Sequence, residues 1–299
     1  MSALSRHYAP LRAFAAPARA HSELWRTLAG LAIAAGLYLF ALRMLGSLVM
    51  ATLGPLGGML ALQDISTGAT PMGLVVLLFA YLPLAGGLLL ATVLLMGRGL
   101  PTLIGPLSPA WRCFLWVAVP LVGLGIAMMP LQVMAPNVGR HLDLWAQLQW
   151  LPVALPGLLV QVGTEELVFR GYLQQQLAAR WASPWVWMVV PSAVFGLLHW
   201  SPDQYGAVAP LVALWAAAFG LAAADLTART GNLGAAVGLH FAYNAQTLFL
   251  VGLYGNLHGL ALYNVVLPLG DDWAELPYLA IDSLSLLVSW LAARLILRV

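Results

Sequence analysis

Lysine is absent from this chain of 299 residues, cysteine occurs once, and charged side chains make up only 8% of it. Each scarcity excludes something. A single Cys113 rules out an internal disulfide, so cysteine usage says nothing about the redox compartment, and a thiol filling space is the expected role. A formal net charge of +2 gives no basic surface for a nucleic-acid partner. All thirteen basic residues are arginine, a usage that a coding bias explains as well as any function. The first 25 residues carry Arg6, Arg12 and Arg19 among alanines and prolines and lack the compact apolar run and small-residue site of a cleavable signal peptide. Residues 1–26 therefore read as a cytoplasmic N-terminal tail, and 27–299 as a single membrane domain.

What is present is apolar side chain: 62% of residues are hydrophobic and the mean hydropathy is +0.87. Runs near 27–50, 72–96, 113–134, 149–178, 185–199, 208–228, 233–254 and 276–297, separated by Gly, Pro, Asp or Arg, predict about eight transmembrane helices. The fold class expected is all-α, a polytopic membrane bundle. The 185–199 run is short for a hydrocarbon core of about 30 Å, which takes about 20 residues to cross.

Arginine placement agrees with that count, because short cytoplasmic loops are enriched in basic residues. Arg6, Arg12, Arg19, Arg26, Arg98, Arg112, Arg180, Arg229, Arg294 and Arg298 all fall on one side of an eight-span chain with both termini in the cytoplasm. The opposite loops hold Arg140 with Asp64, Asp143, Asp203, Asp271, Asp272 and Glu275, while Arg43 and Arg170 fall inside spans. Tryptophans such as Trp25, Trp111, Trp145, Trp185, Trp200 and Trp273 stand near span ends, where amphipathic rings anchor.

Polar groups at membrane depth are costly and so mark function by default. Most lie between 165 and 244. In the stretch "GTEELVFRGYL", Glu166 and Arg170 are four apart on one helical face and predict an ion pair, while Glu165 is turned about 100° away and left for other work. In "FGLLHW", Phe195 stands four before His199; in "HFAYN", His240 stands four before Asn244. A lone histidine is ordinarily a packing residue, but three such pairs within eighty residues of so apolar a chain point to a shared cavity. Carboxylate, imidazole and amide side chains together supply a base and hydrogen-bond donors.

Glu165, Glu166 and Arg170 as EExxxR, Phe195 and His199 as FxxxH, and His240 and Asn244 as HxxxN, in that order, resemble the three motifs of the CPBP family, the CAAX prenyl endopeptidases and bacteriocin-processing proteins, also called Abi. The resemblance covers the core at 149–254. It implies an eight-helix intramembrane glutamic endopeptidase in which Glu165 and His240 activate a water and His199 and Asn244 stabilise the oxyanion, with Glu166, Arg170 and Phe195 supporting the site. It implies an integral protein of a bacterial inner membrane, acting on a peptide or protein substrate, in some cases membrane-anchored, with no cofactor.

Two alternatives stand beside it. One is a zinc metalloprotease using Glu165, His199 and His240, against which stand the missing HExxH helix and the weakness of an asparagine amide as a zinc ligand. The other is a non-catalytic scaffold or immunity subunit, the reading that wins if Glu165, His199, His240 and Asn244 do not converge on one hydrated cavity. Elsewhere the expectations are structural: Asp225 pairs with Arg229, Asp282 lies near a span end, Arg43 snorkels, and 255–275, with His258, Asp271 and Asp272, is a solvated loop.

Overall fold

A computed structural model describes residues 7–268 and 273–299. A short helix α1 (Ala9–Ala15) precedes α2 (Leu24–Thr67), α3 (Pro71–Phe79), α4 (Leu82–Met96) and α5 (Leu107–Gln132). Strand β1 (Val138–Arg140) leads into α6 (Leu144–Glu166), which runs on through a π-helical stretch at Leu167–Gln174 into α7 (Gln175–Arg180). Then come α8 (Val190–Leu198), α9 (Ala209–Thr230), α10 (Gly234–Ala245), β2 (Val251–Leu253), β3 (Tyr263–Val265) and α11 (Leu276–Leu297).

The protein is an all-α polytopic bundle, as its hydropathy predicts. Among the described residues six helical stretches are long and apolar enough to cross a membrane: Leu24–Thr67, Pro71–Met96, Leu107–Gln132, Leu144–Arg180, Pro202–Thr230 and Leu276–Leu297. The two other expected spans are helical but shorter, Trp185–Leu198 because its helix ends at His199, and the α10 stretch because the chain turns extended at Val251. Large apolar side chains such as Phe40, Leu94, Val119 and Leu284 are exposed on the helix exteriors, the surface that lipid would cover.

The first stretch is longer than hydrocarbon requires because it is two helices. Gly54 sits at φ 72°, a conformation that glycine adopts without a Cβ penalty, and Pro55 follows it. The chain folds back there, so Gly58 lies against Met50. Asp64 then closes the turn into α3 by accepting from the Thr70 N–H at 2.9 Å and the Thr70 hydroxyl at 2.5 Å, while Thr70 caps the N–H of Gly73.

Two features lay outside the pattern read from the sequence. β1, β3 and β2 form a small sheet in that order, β1 antiparallel and β2 parallel to β3. So the stretch expected as helix to 254 ends in a strand, and the loop after it is not simply solvated: His258, Leu260, Ala261, Asn264 and Val265 are buried. Asp271 and Asp272 lie outside the described residues. The segment expected as a tail is also packed, with Leu11, Phe14 and Ala18 buried against the bundle and the Tyr8 hydroxyl donating to Asp225 at 2.8 Å. Asp225 accepts from Arg229 Nε through both oxygens, the pairing expected from their spacing.

Glycine sets the registers that matter for the site. α10 lies so close along α5 that a Cβ on Gly234 would fall 1.8 Å from the carbonyl oxygen of Ala110. α8 is pressed on α9 in the same way, Gly196 meeting the Ala213 carbonyl and Gly220 meeting Ser192.

Candidate active site

Each of the three motifs adjoins a π-helical stretch. Glu165 and Glu166 end α6 just before Leu167–Gln174, the Phe195 helix follows Trp185–Val189, and Asn244 stands just before Gln246–Leu250. π-turns shift the phase of the residues that follow them and recur at functional sites.

Glu166 is the hub. Its Oε1 accepts from Arg170 Nη1 at 2.9 Å and from Nδ1 of His240 at 2.8 Å, with all three side chains buried. Arg170 uses a second nitrogen on the carbonyl of Gly220 at 3.2 Å and lies over the Phe195 ring, 4.9 Å from its centroid. A carboxylate facing Nδ1 holds the proton there and leaves the Nε2 lone pair of a neutral imidazole free. Phe219 and Phe195 wall the ring, with centroids 5.0 and 6.2 Å from that of His240.

Nε2 of His240 stands 3.7 Å from Oε2 of Glu165. That separation is too long for a direct hydrogen bond and suits two groups sharing one small molecule. Oε2 of Glu165 is buried without a protein hydrogen-bond partner. Its other oxygen accepts from Nε2 of Gln161 at 2.8 Å, and Oε1 of Gln161 accepts from Nδ2 of Asn244 at 2.9 Å. A polar chain therefore runs Asn244, Gln161, Glu165, then across to His240, Glu166 and Arg170. Tyr81 of the α3–α4 stretch interacts with the Glu165 carboxylate, and its ring packs 6.0 Å from that of Tyr38.

Of the residues singled out from the sequence, Glu165, Glu166, Arg170, His240 and Asn244 meet in this network. His199 stands at its edge. Its Nδ1 donates to the carbonyl of Phe195 at 2.8 Å, and its ring lies 4.4 Å from the Phe195 ring, which in turn packs on His240. Among the described residues no group of three or more His, Cys, Asp or Glu is arranged to hold a metal ion. Two surface pockets, one lined by Arg140, Asp143 and Trp145 and one of about 290 Å³ between α9 and α11, involve none of the motif residues.

Gln161 and Tyr81 were missed by sequence reasoning. Gln161 did carry a signal, since it stands four before Glu165 as Glu166 stands four before Arg170, and it is a polar amide in the middle of an apolar span. Tyr81 carried none, because its approach depends on how α4 packs.

No curated protein and no solved structure matches the chain. A family model does: residues 147–246, about a third of the chain, match the type II CAAX prenyl endopeptidase Rce1-like family. That segment holds every motif residue and Gln161. Over that segment the chain is similar to the Rce1-like type II CAAX prenyl endopeptidases.

Proposed function

We propose that the protein is an intramembrane endopeptidase in which Glu165 and His240 activate the attacking water. The observation that carries this reading is the pair of acceptors 3.7 Å apart: a buried carboxylate oxygen that accepts no close hydrogen bond, on a carboxylate that Tyr81 also approaches, and an imidazole nitrogen whose lone pair is freed by the bond from Nδ1 to Glu166. Water between them gives a proton to Oε2 of Glu165 as its oxygen attacks the scissile carbonyl carbon. The carbonyl π electrons move to oxygen, and the second N–H of Asn244, the one Gln161 does not use, donates to that oxyanion. Collapse breaks the C–N bond, and the leaving amine takes the proton back from Glu165.

His199 has a conditional part in this scheme. Its Nδ1 proton is committed to a carbonyl, so Nε2 can donate to an oxyanion only when the ring is an imidazolium. Asn244 donates whatever the pH. The name of the matched family makes a prenylated C-terminal peptide the first substrate to try.

The test uses the purified protein in lipid nanodiscs with a farnesylated reporter peptide ending in a CAAX sequence, together with quantitative proteomics of cells carrying wild type or Glu165→Gln. Wild type is expected to cleave, to keep its rate in excess chelator, and to lose it on Glu165→Gln. Asn244→Ala should cost on the order of 100-fold. Turnover by Glu165→Gln would overturn the assignment; equal peptidomes from the two strains, with the reporter uncut, would leave the scaffold reading in its place. Activity that follows one equivalent of bound zinc through the mutant series would put the metal mechanism in its place.

A further inference from the structure

Resting on that reading, we infer that Gln161 is a positioning residue that selects which oxygen of Glu165 acts as base and holds Asn244 with one N–H free for the oxyanion. The argument is one of hydrogen-bond direction. An ionised carboxylate only accepts, so the amide that bonds Oε1 of Glu165 must present its NH2 there. Its carbonyl then faces the other way, where only a donor satisfies it, and Asn244 supplies Nδ2.

Two consequences follow for the chemistry. Oε1 of Glu165 is occupied, so the proton from water goes to Oε2, the oxygen that faces His240. Asn244 is held in its donor orientation, because its NH2 is the end turned to Gln161, and one of the two N–H bonds remains for the substrate. Reversing Gln161 would reverse Asn244 too, turning Oδ1 inward and removing the oxyanion donor. A water molecule in place of the amide would impose no such direction, since it donates and accepts either way. An apolar residue would leave a buried carboxylate oxygen and a buried amide unpaired. One planar amide thus ties the ionised base to the oxyanion donor, although their residues lie 79 positions apart on separate helices.

The experiment compares wild type, Gln161→Leu, Gln161→Glu and Glu165→Gln in nanodiscs, reading kcat, KM and the pH profile with the farnesylated reporter. Gln161→Leu is expected to lower kcat by at least about 10-fold with KM nearly unchanged. In Gln161→Glu one carboxyl oxygen can still accept from Asn244, but the other can donate to Glu165 only when protonated. That variant should be impaired at neutral pH and partly restored by acidification, a displacement that a space-filling role would not produce. A kcat of Gln161→Leu within about twofold of wild type, or an unchanged profile for Gln161→Glu, overturns the inference. Either result beside an inactive Glu165→Gln leaves the water-activation reading standing, whereas turnover by Glu165→Gln refutes that reading first. If Gln161→Leu fails to fold, the Gln161→Glu profile decides. If wild type leaves the reporter uncut, a thermal-stability cycle of Gln161→Glu and Asn244→Ala decides: non-additive shifts support the bond and additive shifts overturn it.

Discussion

Glu166 has two duties, and they separate by mutation. Its carboxylate neutralises Arg170 and anchors Nδ1 of His240 through a single oxygen, Oε1. Removing either partner of a buried pair leaves an uncompensated charge, at about 3–5 kcal/mol. Arg170→Ala should therefore lower the thermal midpoint strongly, and the rate only through loosened packing under Phe195. Glu166→Ala should do the same and also release the imidazole, so its kcat should fall further than that of Arg170→Ala at a temperature where both are folded. Normal expression and thermal stability of both variants would contradict the burial argument. Equal rates would contradict the anchoring of His240.

The sheet and the strap around it carry their own prediction at the scale of elements. His141 follows β1 and His258 precedes β3, and their rings lie 5.1 Å apart with Tyr254 against His258. Burial holds both imidazoles below their ordinary value of 6.5, and for His258 the neighbouring His141 adds to the effect. A base whose folded value is depressed binds fewer protons folded than unfolded, so its contribution is fully present above the unfolded value and is lost as pH falls below it. The segment 251–265 should accordingly loosen as pH drops through about 6.5, seen as faster hydrogen exchange there in the intact protein. His258→Gln should flatten that dependence. Exchange in the wild type that is level between pH 7.5 and 5.5 would refute it.

Across the whole molecule, Asp225 joins parts of the chain that sequence keeps far apart. It accepts from Tyr8 ahead of α1, from Arg229 on α9 and from the Trp290 indole at 3.0 Å on α11, with Arg294 at 4.0 Å. Trp187 stacks edge-on against Tyr8, 5.3 Å between centroids. The packed N-terminal segment and the last helix thus share one buried counter-charge. Asp225→Ala should strand Arg229, lower the thermal midpoint, and speed hydrogen exchange in residues 8–15 and 290–299 while 234–245 stays protected. Unchanged exchange at both ends would show that apolar burial of Leu11 and Phe14 holds them without the carboxylate.

Composition pointed to the solvent: 62% hydrophobic residues in long runs fit a helical membrane bundle, because a helix satisfies its backbone groups within its own segment. The helical period made the Glu166–Arg170 and Asp225–Arg229 pairs legible, since residues four apart are neighbours wherever the helix goes. The order and spacing of Glu165, His199, His240 and Asn244 carried the resemblance to the CAAX endopeptidases, and the family-model match falls on the same segment. Span number was less legible, because a hydropathy run does not reveal that the Trp185–Leu198 helix stops short or that the chain turns extended at Val251. The contacts between helices were not legible at all. Glu166 reaching His240, Gln161 reaching Asn244 and Tyr81 reaching Glu165 depend on the registers of α4, α6 and α10, set by close approaches such as Gly234 on the Ala110 carbonyl. Local periodicity determines which residues share a face; only packing of one backbone on another decides which faces meet.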